Sequence, residues 1–402
     1  MDAVVGGIGG TLLLAGALIM LRNKRRQPVR KDSSLKLRAL ADPLLPHTSQ
    51  QPPLLLPSRS GGGGGKSKSR ARDFALAELE AATGGFAPRF KLAEGAFGAV
   101  YRGKLLPSGT AVAIKVLTRK DDPAAEHSQY SGENSFALEA KVLGKYRHAN
   151  IVGLVGQCLG DAQPLQYLVY EFMPGGALRD RLAPESAAPP LTWQERLVVA
   201  SDAARGLEYL HVDADPPIIH QDIKSDNILL GEYNGQLVAK IADFGAVRIA
   251  PSLLITNVSH YSAREIIGTK PYQPPEYVMS GHVSEKTDTF AFGVVLLELL
   301  TAKPPSDAES NEFLHSAMEP VLREAPTALP PLLDRRAGKW PRQKALALAA
   351  IALKCTEMYP RSRCTVRDVL VELDVLAGRQ AIRRAGRGEE YDPMTGELRK
   401  MA

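Results

Sequence analysis

The chain has 402 residues, of which 44% are hydrophobic and 23% charged, so it can bury a sizeable core as one two-lobed domain or as two smaller domains. Its three cysteines are scattered, which favours a reduced cytosolic setting over a secreted disulfide framework. The net charge of +6 is uneven: residues 22–72 hold 13 Lys/Arg against 2 Asp, and the rest of the chain carries −5. This is not the charge distribution of a nucleic-acid-binding domain, so no nucleic-acid partner is expected.

Residues 3–21 form an uncharged, apolar run that predicts a transmembrane helix. At the rise of an α-helix the run spans roughly 28 Å, which approaches the hydrocarbon thickness of a bilayer. The positive-inside rule places the rest of the chain in the cytoplasm, because basic residues follow at once: Arg22, Lys24, Arg25, Arg26, Arg30 and Lys31. A cleaved signal peptide or another targeting segment is the alternative, but the run lacks a basic start and an internal arginine. We therefore expect a single-pass protein without an extracellular sensor domain.

Two further features concern this N-terminal region. Gly6 and Gly10 have the spacing that lets two membrane helices pack as a homodimer, although a run with five glycines produces it easily. Residues 22–72 are rich in Pro, Ser, Gly and basic residues and predict a disordered juxtamembrane linker, because they cannot bury enough apolar surface to fold. The linker charge would attract an anionic leaflet, with a merely solvated segment as the alternative after Arg38.

Three antiparallel strands are predicted between Phe90 and Leu117, with a turn at residues 107–109. Gly95 and Gly98 stand at the tip between the first two strands, where backbone N–H groups can close over a polyphosphate. A hairpin with glycines at its tip explains the same pattern, so the glycines alone decide nothing.

Lys115 lies on the third of these strands among apolar residues and needs an anionic partner. Glu139 supplies a carboxylate from a predicted amphipathic helix over residues 135–146. The two residues are either an ordinary buried ion pair or a device that fixes Lys115 against phosphate groups.

A second acidic segment follows a helical stretch that begins near Trp193. In IHQDIKSDNIL, Asp222 is placed to accept the proton of a substrate hydroxyl, and Lys224 to neutralise charge on a moving phosphoryl group. A hairpin with an Asn-Gly turn at residues 234–235 then leads to Asp243, and it brings Asn227 and Asp243 together as oxygen ligands suited to Mg²⁺.

The apolar stretch GVVLLELL, residues 293–300, contains Glu298. Because it is short and interrupted by this carboxyl group, it predicts a buried core helix and not a second membrane span.

The ordered set of these motifs resembles the signature of a protein kinase over residues 73–376. Within kinases the chain is similar to the tyrosine-kinase-like group, particularly plant receptor-like cytoplasmic kinases and interleukin-receptor-associated kinases, through FALAELEAATGGF, RHANIVGLVGQC, LVYEFMPGGAL and LTWQERL. The resemblance implies an α+β, two-lobed fold with a small β-rich N-lobe carrying one long helix and a larger, mostly helical C-lobe. The expected division is a transmembrane helix at 3–21, a linker at 22–72, the N-lobe and hinge at 73–173, the C-lobe at 174–376 and a charged tail at 377–402.

The resemblance also implies the cofactors ATP and Mg²⁺ and a full set of site residues. The catalytic residues would be Asp222 as proton acceptor, Lys224, Lys115 and Glu139, and the metal ligands Asn227 and Asp243. The ATP-binding residues would be Ala93, Gly95, Gly98, Val100, Ala113, Lys115, Glu171, Met173 and Leu229, with Tyr170 as the bulky residue before the hinge. Thr269, Glu276 and Arg363 would belong to or hold the activation segment, and Asp288 would brace the catalytic loop.

Two residues depart from the family pattern. Ala93 replaces the first glycine of the loop, and we expect this to tighten the strand without abolishing ATP binding. Gln221 replaces the arginine that usually pairs with a phosphorylated activation loop, so activity is not expected to depend on loop phosphorylation in the usual way. The candidate phosphosites are Ser252, Thr256, Ser259, Tyr261, Ser262 and Thr269.

The expected function is a membrane-tethered protein serine/threonine kinase in a signalling pathway, as Lys224 and Thr269 follow the serine/threonine pattern. It would phosphorylate protein substrates and receive its input from a partner such as an upstream receptor. A pseudokinase that acts as a membrane-tethered, nucleotide-binding scaffold is the alternative, favoured by Ala93 and Gln221. A small-molecule kinase is a third interpretation, opposed by the full activation segment.

Overall fold

The computed structural model describes residues 71–95, 98–118, 132–159, 165–249, 261–262, 268–379, 389–392 and 397–400. The predicted transmembrane helix and nearly all of the predicted linker lie outside these residues, as do the candidate phosphosites Ser252, Thr256 and Ser259. Within the described residues, the helices are all too short or too polar to cross a membrane.

A six-stranded sheet forms the first lobe. Its strands are β1 (Arg72–Asp73), β2 (Lys91–Gly95), β3 (Gly98–Lys104), β4 (Ala111–Thr118), β5 (Leu154–Leu159) and β6 (Leu165–Glu171). They lie in the order β1-β5-β6-β4-β3-β2, with β1 parallel to β5 and the other neighbours antiparallel. The predicted three-stranded meander, β2 to β4, is therefore confirmed.

Two helices belong to this lobe. Helix α1 (Leu76–Thr83) ends at Gly84 in the left-handed conformation, and its Leu79 packs into a small core with Val112, Ile114 and Val169 of the sheet. Helix α2 (Gly132–Lys145) carries Glu139 and corresponds to the helix predicted over residues 135–146. This is the one long helix expected in a β-rich lobe.

The second lobe is mostly helical. Its helices are α3 (Leu178–Leu182), α4 (Trp193–Glu208), α5 (Pro275–Ser280), α6 (Glu285–Thr301), α7 (Leu314–Glu324), α8 (Arg342–Cys355) and α9 (Val366–Ala377). Helix α4 begins where predicted, because Thr192 and Glu195 form a reciprocal capping box. The two-lobed α+β fold expected from the sequence is thus confirmed.

Short strands complete the described structure. They are β7 (Gly176–Ala177), β8 (Ile218–Ile219), β9 (Ile228–Tyr233), β10 (Gln236–Ile241), β11 (Arg248–Ile249), β12 (Tyr261–Ser262), β13 (His282–Val283), β14 (Glu389–Asp392) and β15 (Glu397–Lys400). Strands β9 and β10 form the hairpin predicted from the Asn-Gly turn, and β14 pairs with β15 in the predicted tail.

Helix α6 lies at the centre of the second lobe, and residues 287–301 along it are buried. It contains the stretch GVVLLELL, so the prediction of a buried core helix is confirmed. Glu298 is 3% exposed and accepts hydrogen bonds from Ser225 Oγ at 2.8 Å and from the Tyr272 hydroxyl at 2.9 Å. Burial outweighs these bonds and raises the pKa of Glu298 to about 7.

Replacing Glu298 by glutamine should flatten the dependence of stability on pH. A carboxyl group with a raised pKa binds more protons in the folded state, so its contribution to stability is lost as the pH rises from its ordinary pKa of 4.5 through about 7. This shift corresponds to about 3 kcal/mol. Urea unfolding at about pH 5 and about pH 8 should show the parent losing stability relative to Glu298→Gln. Parallel profiles of the two proteins would contradict the prediction.

Candidate active site

The β9–β10 hairpin brings the two candidate metal ligands together. Asn234 and Gly235 at its turn have φ values of 49° and 74°, as a type I′ turn requires. At the open end the backbone N–H of Ala242 donates to the carbonyl oxygen of Asn227 at 2.9 Å, which places Asn227 beside the residue that precedes Asp243.

The carboxylate of Asp222 accepts hydrogen bonds from three side chains. Lys224 Nζ lies 2.7 Å and Asn227 Nδ2 3.0 Å from Oδ2, and Thr269 Oγ1 lies 3.2 Å from Oδ1. Lys224 also donates to Thr269 Oγ1 at 3.1 Å. The structure therefore assembles three of the predicted residues around the carboxylate of a fourth, Asp222, and these three donors fix its orientation.

Lys115 joins the two lobes. Its Nζ lies 2.9 Å from Glu139 Oε2 and 2.8 Å from Asp243 Oδ1, and the backbone N–H of Phe244 donates to Glu139 Oε1 at 3.2 Å. The Lys115 and Glu139 side chains are 13% and 0% exposed, whereas that of Asp243 is 37% exposed. A small cation would therefore reach Asp243 most easily.

The charges in this cluster stabilise one another against burial. Burial alone would lower the pKa of Lys115, but the carboxylates of Asp243 and Glu139 outweigh it and raise that pKa above its ordinary value. Burial likewise opposes ionisation of Asp243, yet Lys115 and, more weakly, Lys224 lower the pKa of Asp243 to about 2. The ammonium and the Asp243 carboxylate are thus both charged at neutral pH.

The predicted ATP-binding residues of the sheet line up across strands. Ala93 pairs with Val100, and Val100 with Lys115, so these three residues are neighbours across β2, β3 and β4. Gly95 pairs with Gly98 at the tip, where φ of Gly98 is +131° and a Cβ would stand 1.8 Å from the carbonyl oxygen of Val116. Only glycine fits there, as a close backbone approach demands.

The hinge residues have internal roles. The Glu171 carboxylate accepts a hydrogen bond from the backbone N–H of Gly153 at 2.6 Å and two from Lys240 Nζ at 2.8 and 2.9 Å. The Glu171 side chain is therefore occupied by contacts within the chain. Of the other predicted residues nearby, Ala113 pairs with Tyr170, Met173 is buried and Leu229 pairs with Ala177.

Asp288 braces the loop before Asp222, as the resemblance implied. Its carboxylate accepts from the backbone N–H groups of His220 at 2.7 Å and Gln221 at 2.8 Å, and it lies 2.8 Å from His211 Nε2. Gln221 has a φ of 67°, an uncommon conformation for this residue that these bonds hold in place.

Glu276 and Arg363 form a separate, two-bonded ion pair. The Arg363 nitrogens lie 2.5 and 2.8 Å from the two Glu276 oxygens, and Arg363 also donates to the backbone carbonyls of Glu357 and Met358. The Arg363 side chain is fully buried. This pair ties Glu276, at the predicted end of the activation segment, to the backbone that follows α8, and it does not contact the Asp222 carboxylate.

The sequence interpretation missed one group of functional interest. It noted Glu298 within an apolar stretch but did not predict its hydrogen bonds to Ser225, which lies in the catalytic segment, and to Tyr272, which follows Thr269. The signal in the sequence is Glu298 itself, because a carboxyl group inside a buried apolar stretch needs hydrogen-bond partners.

The "Protein kinase domain" family matches residues 86–372, about seven tenths of the chain. The chain therefore belongs to the protein kinase family.

Three curated relatives come from Arabidopsis thaliana. Serine/threonine-protein kinase PBL27 is 37% identical over 317 residues, which are 76% of this chain and 57% of the relative. Serine/threonine-protein kinase PBS1 is 36% identical over 336 residues, 82% of this chain and 67% of the relative. Probable serine/threonine-protein kinase PBL21 is 38% identical over 311 residues, 76% of this chain and 77% of the relative. The match thus spans little more than half of PBL27.

These similarities confirm the predicted resemblance to plant receptor-like cytoplasmic kinases. They also confirm the predicted enzyme class, protein serine/threonine kinase.

Replacing Gly98 by alanine should destabilise the chain by about 1–3 kcal/mol. The alanine would have a strained φ, and its Cβ would clash with the carbonyl oxygen of Val116. Gly144 in α2 is the matched control, since nothing lies within 4 Å of a Cβ there. Alanine at that helical position should stabilise by up to about 1 kcal/mol. Thermal unfolding measures both changes, and equal midpoints for the two variants would refute the prediction.

Proposed function

We propose that the chain transfers the γ-phosphoryl group of ATP, with Mg²⁺, to serine and threonine hydroxyls of proteins in a signalling pathway. One observation carries the proposal: Lys115 bonds to both Glu139 and Asp243 while Asp222 holds Lys224 and Asn227. All the side chains that phosphoryl transfer requires of a kinase are thereby connected in two adjoining networks.

The residues present fit ATP and Mg²⁺ by their chemistry. The partly exposed Asp243 carboxylate and the Asn227 amide oxygen are hard oxygen ligands, which Mg²⁺ prefers together with phosphate oxygens. Both hydrogen bonds that Asn227 gives to Asp222 use the amide nitrogen, so its oxygen is left for a cation. The close backbone approach at Gly98 suits a strand that covers phosphate groups.

In this proposal each protein group has a defined task. Glu139 holds Lys115, which orients the phosphates by charge. Asp222 orients the substrate hydroxyl and accepts its proton, while Lys224 at 2.7 Å stabilises the negative charge that develops beside it. Mg²⁺, when bound, neutralises charge on the phosphate oxygens.

The contacts of Thr269 support serine/threonine specificity. Its hydroxyl bridges Lys224 and Asp222, which builds one wall of the site that a small aliphatic hydroxyl must enter. Gln221, which is next to this site, offers no cationic group for a loop phosphate. The catalytic loop is instead held by the Asp288 carboxylate, which accepts a hydrogen bond from the Gln221 backbone N–H.

Replacing Asp222 by asparagine should lower turnover by about 10²–10⁴-fold, because the amide keeps the shape but cannot accept the proton. The measurement is transfer of labelled γ-phosphate to casein by the full chain. Asp226→Asn is the control, since Asp226 pairs with Arg179 at 2.9 Å and takes no part in the proposed chemistry.

No transfer by the parent or either variant, from folded protein whose melting point is raised by ATP and Mg²⁺, would favour the nucleotide-binding scaffold. Equal activity of Asp222→Asn and the parent would remove Asp222 from its proposed role.

We further propose that residues 3–21 anchor the chain in a membrane, with the kinase domain on the cytoplasmic side. The uncharged run and the basic residues after it support this topology. Gly6 and Gly10 supply the spacing for a helix-mediated homodimer, and an upstream receptor is the proposed source of input.

Substituting arginine for Leu12 and Leu14 should release the full chain from membranes, because each charge at the centre of a span costs about 2.5–3.5 kcal/mol on insertion scales. Fractionation after a high-salt wash measures this, with arginine at Leu44 and Leu45 as the matched control outside the run. A soluble parent that retains its first twenty residues would overturn the proposed anchor.

A further inference from the structure

Two cysteines meet where α8 leads into α9. The Sγ atoms of Cys355 and Cys364 are 3.6 Å apart, although the residues are nine positions apart in the sequence. Cys355 is the buried last residue of α8, and Cys364 is partly exposed just before the N-cap residue Thr365 of α9. All of the chain's cysteines lie in the described residues, and none of them forms a disulfide bond.

We propose that Cys355 and Cys364 form a reversible disulfide bond on exposure to a peroxide, and that this bond displaces Arg363 and thereby lowers kinase activity. The sulfurs already touch at van der Waals distance, and the cysteine pair lies outside the site that performs phosphoryl transfer. The proposal adds a modification site to the proposed function, and its first test does not depend on that function. In a reducing compartment such a bond would be transient and regulatory, not structural.

Cys364 is placed to react first. It is the more exposed of the two thiols, and Lys286 Nζ donates to its backbone carbonyl at 3.0 Å, which brings a positive charge close to the sulfur. The hydrogen bond from Cys355 outweighs burial and, with Lys286, lowers the pKa of Cys364, whereas the same bond and burial raise that of Cys355. Because the thiolate is the nucleophile, Cys364 attacks and Cys355 resolves.

The chemistry balances with hydrogen peroxide as the oxidant. The Cys364 thiolate attacks one peroxide oxygen, the O–O bond breaks, and a sulfenic acid and hydroxide form; the hydroxide takes up the proton that Cys364 released. Cys355 then attacks the sulfenic sulfur, so the S–S bond forms and the S–O bond breaks, and water leaves with the Cys355 proton. Two thiols lose two electrons and two protons, and one peroxide becomes two waters.

The movement needed to close the bond falls on Cys364. The sulfur separation must shrink from 3.6 Å to about 2.05 Å. Cys355 has little room to shift, because it packs so closely on Gly293 of α6 that a Cβ there would stand 2.6 Å from its own Cβ. Cys364 adjoins Arg363, whose two short bonds to Glu276 leave little tolerance for displacement. Oxidation therefore perturbs the ion pair at the end of the activation segment.

The first test is a peptide map of the full chain after treatment with hydrogen peroxide and alkylation of the remaining thiols. Trypsin cuts after Lys354, Arg361, Arg363 and Arg367, so CTEMYPR and CTVR are separate peptides unless a disulfide joins them. We expect the joined species in the parent and in Cys158→Ser, its loss on treatment with dithiothreitol, and its absence in Cys364→Ser. No joined species in the parent would overturn the proposal.

The second test follows phosphoryl transfer before and after peroxide. The parent and Cys158→Ser should lose activity by about fivefold or more, the lower end of ordinary coupling between sites, and regain it with dithiothreitol. Cys364→Ser and Cys355→Ala should keep their activity after peroxide. Cys364→Ser should also fold, because Cys364 is partly exposed and a polar hydroxyl is tolerated there. An equal loss in Cys364→Ser would overturn the coupling to Arg363. Recovery with dithiothreitol distinguishes the disulfide from oxidation of Met358, because methionine sulfoxide needs its own reductases.

Discussion

The second lobe depends on one constraint: helix α6 is buried, so each of its polar side chains must be hydrogen-bonded. An unpaired carboxylate there would cost several kcal/mol. Asp288 meets the constraint by accepting from two consecutive backbone N–H groups of the catalytic loop, and Glu298 by accepting from Ser225 and Tyr272. The segments that carry the candidate catalytic residues are therefore positioned because the core helix needs their donors.

The requirement that a buried charge be paired also holds the two lobes together. Lys115 is nearly buried, and its charge is tolerated because Glu139 from the first lobe and Asp243 from the second both lie within 2.9 Å. Removing either carboxylate would leave the buried Lys115 ammonium with only one neighbouring negative charge. The three groups therefore stabilise an arrangement in which α2 and the end of the β9–β10 hairpin are adjacent, which is also the arrangement that phosphoryl transfer needs.

Sequence reasoning predicted the features that local chemistry decides. The Asn-Gly turn, the strands between Phe90 and Leu117 and the start of a helix near Trp193 depend on neighbouring residues, and all were observed. The partners of Glu298 and the contact between Cys355 and Cys364 depend on how distant segments pack, and no local pattern encodes them. The domain boundaries and the roles of the site residues remain predictions, because proximity alone does not establish a role.

The catalytic loop and the predicted end of the activation segment are held by different chemistry. In the catalytic loop, Gln221 provides no cation with which a phosphate could pair. At the predicted end of the activation segment, Arg363 provides a buried guanidinium whose position is set by Glu276 and by the backbone of the α8–α9 loop. Any change in the geometry of that loop acts on the ion pair directly, since Arg363 lies within it. The proposed disulfide bond between Cys355 and Cys364 acts on the ion pair through this loop, and its formation involves no phosphate group.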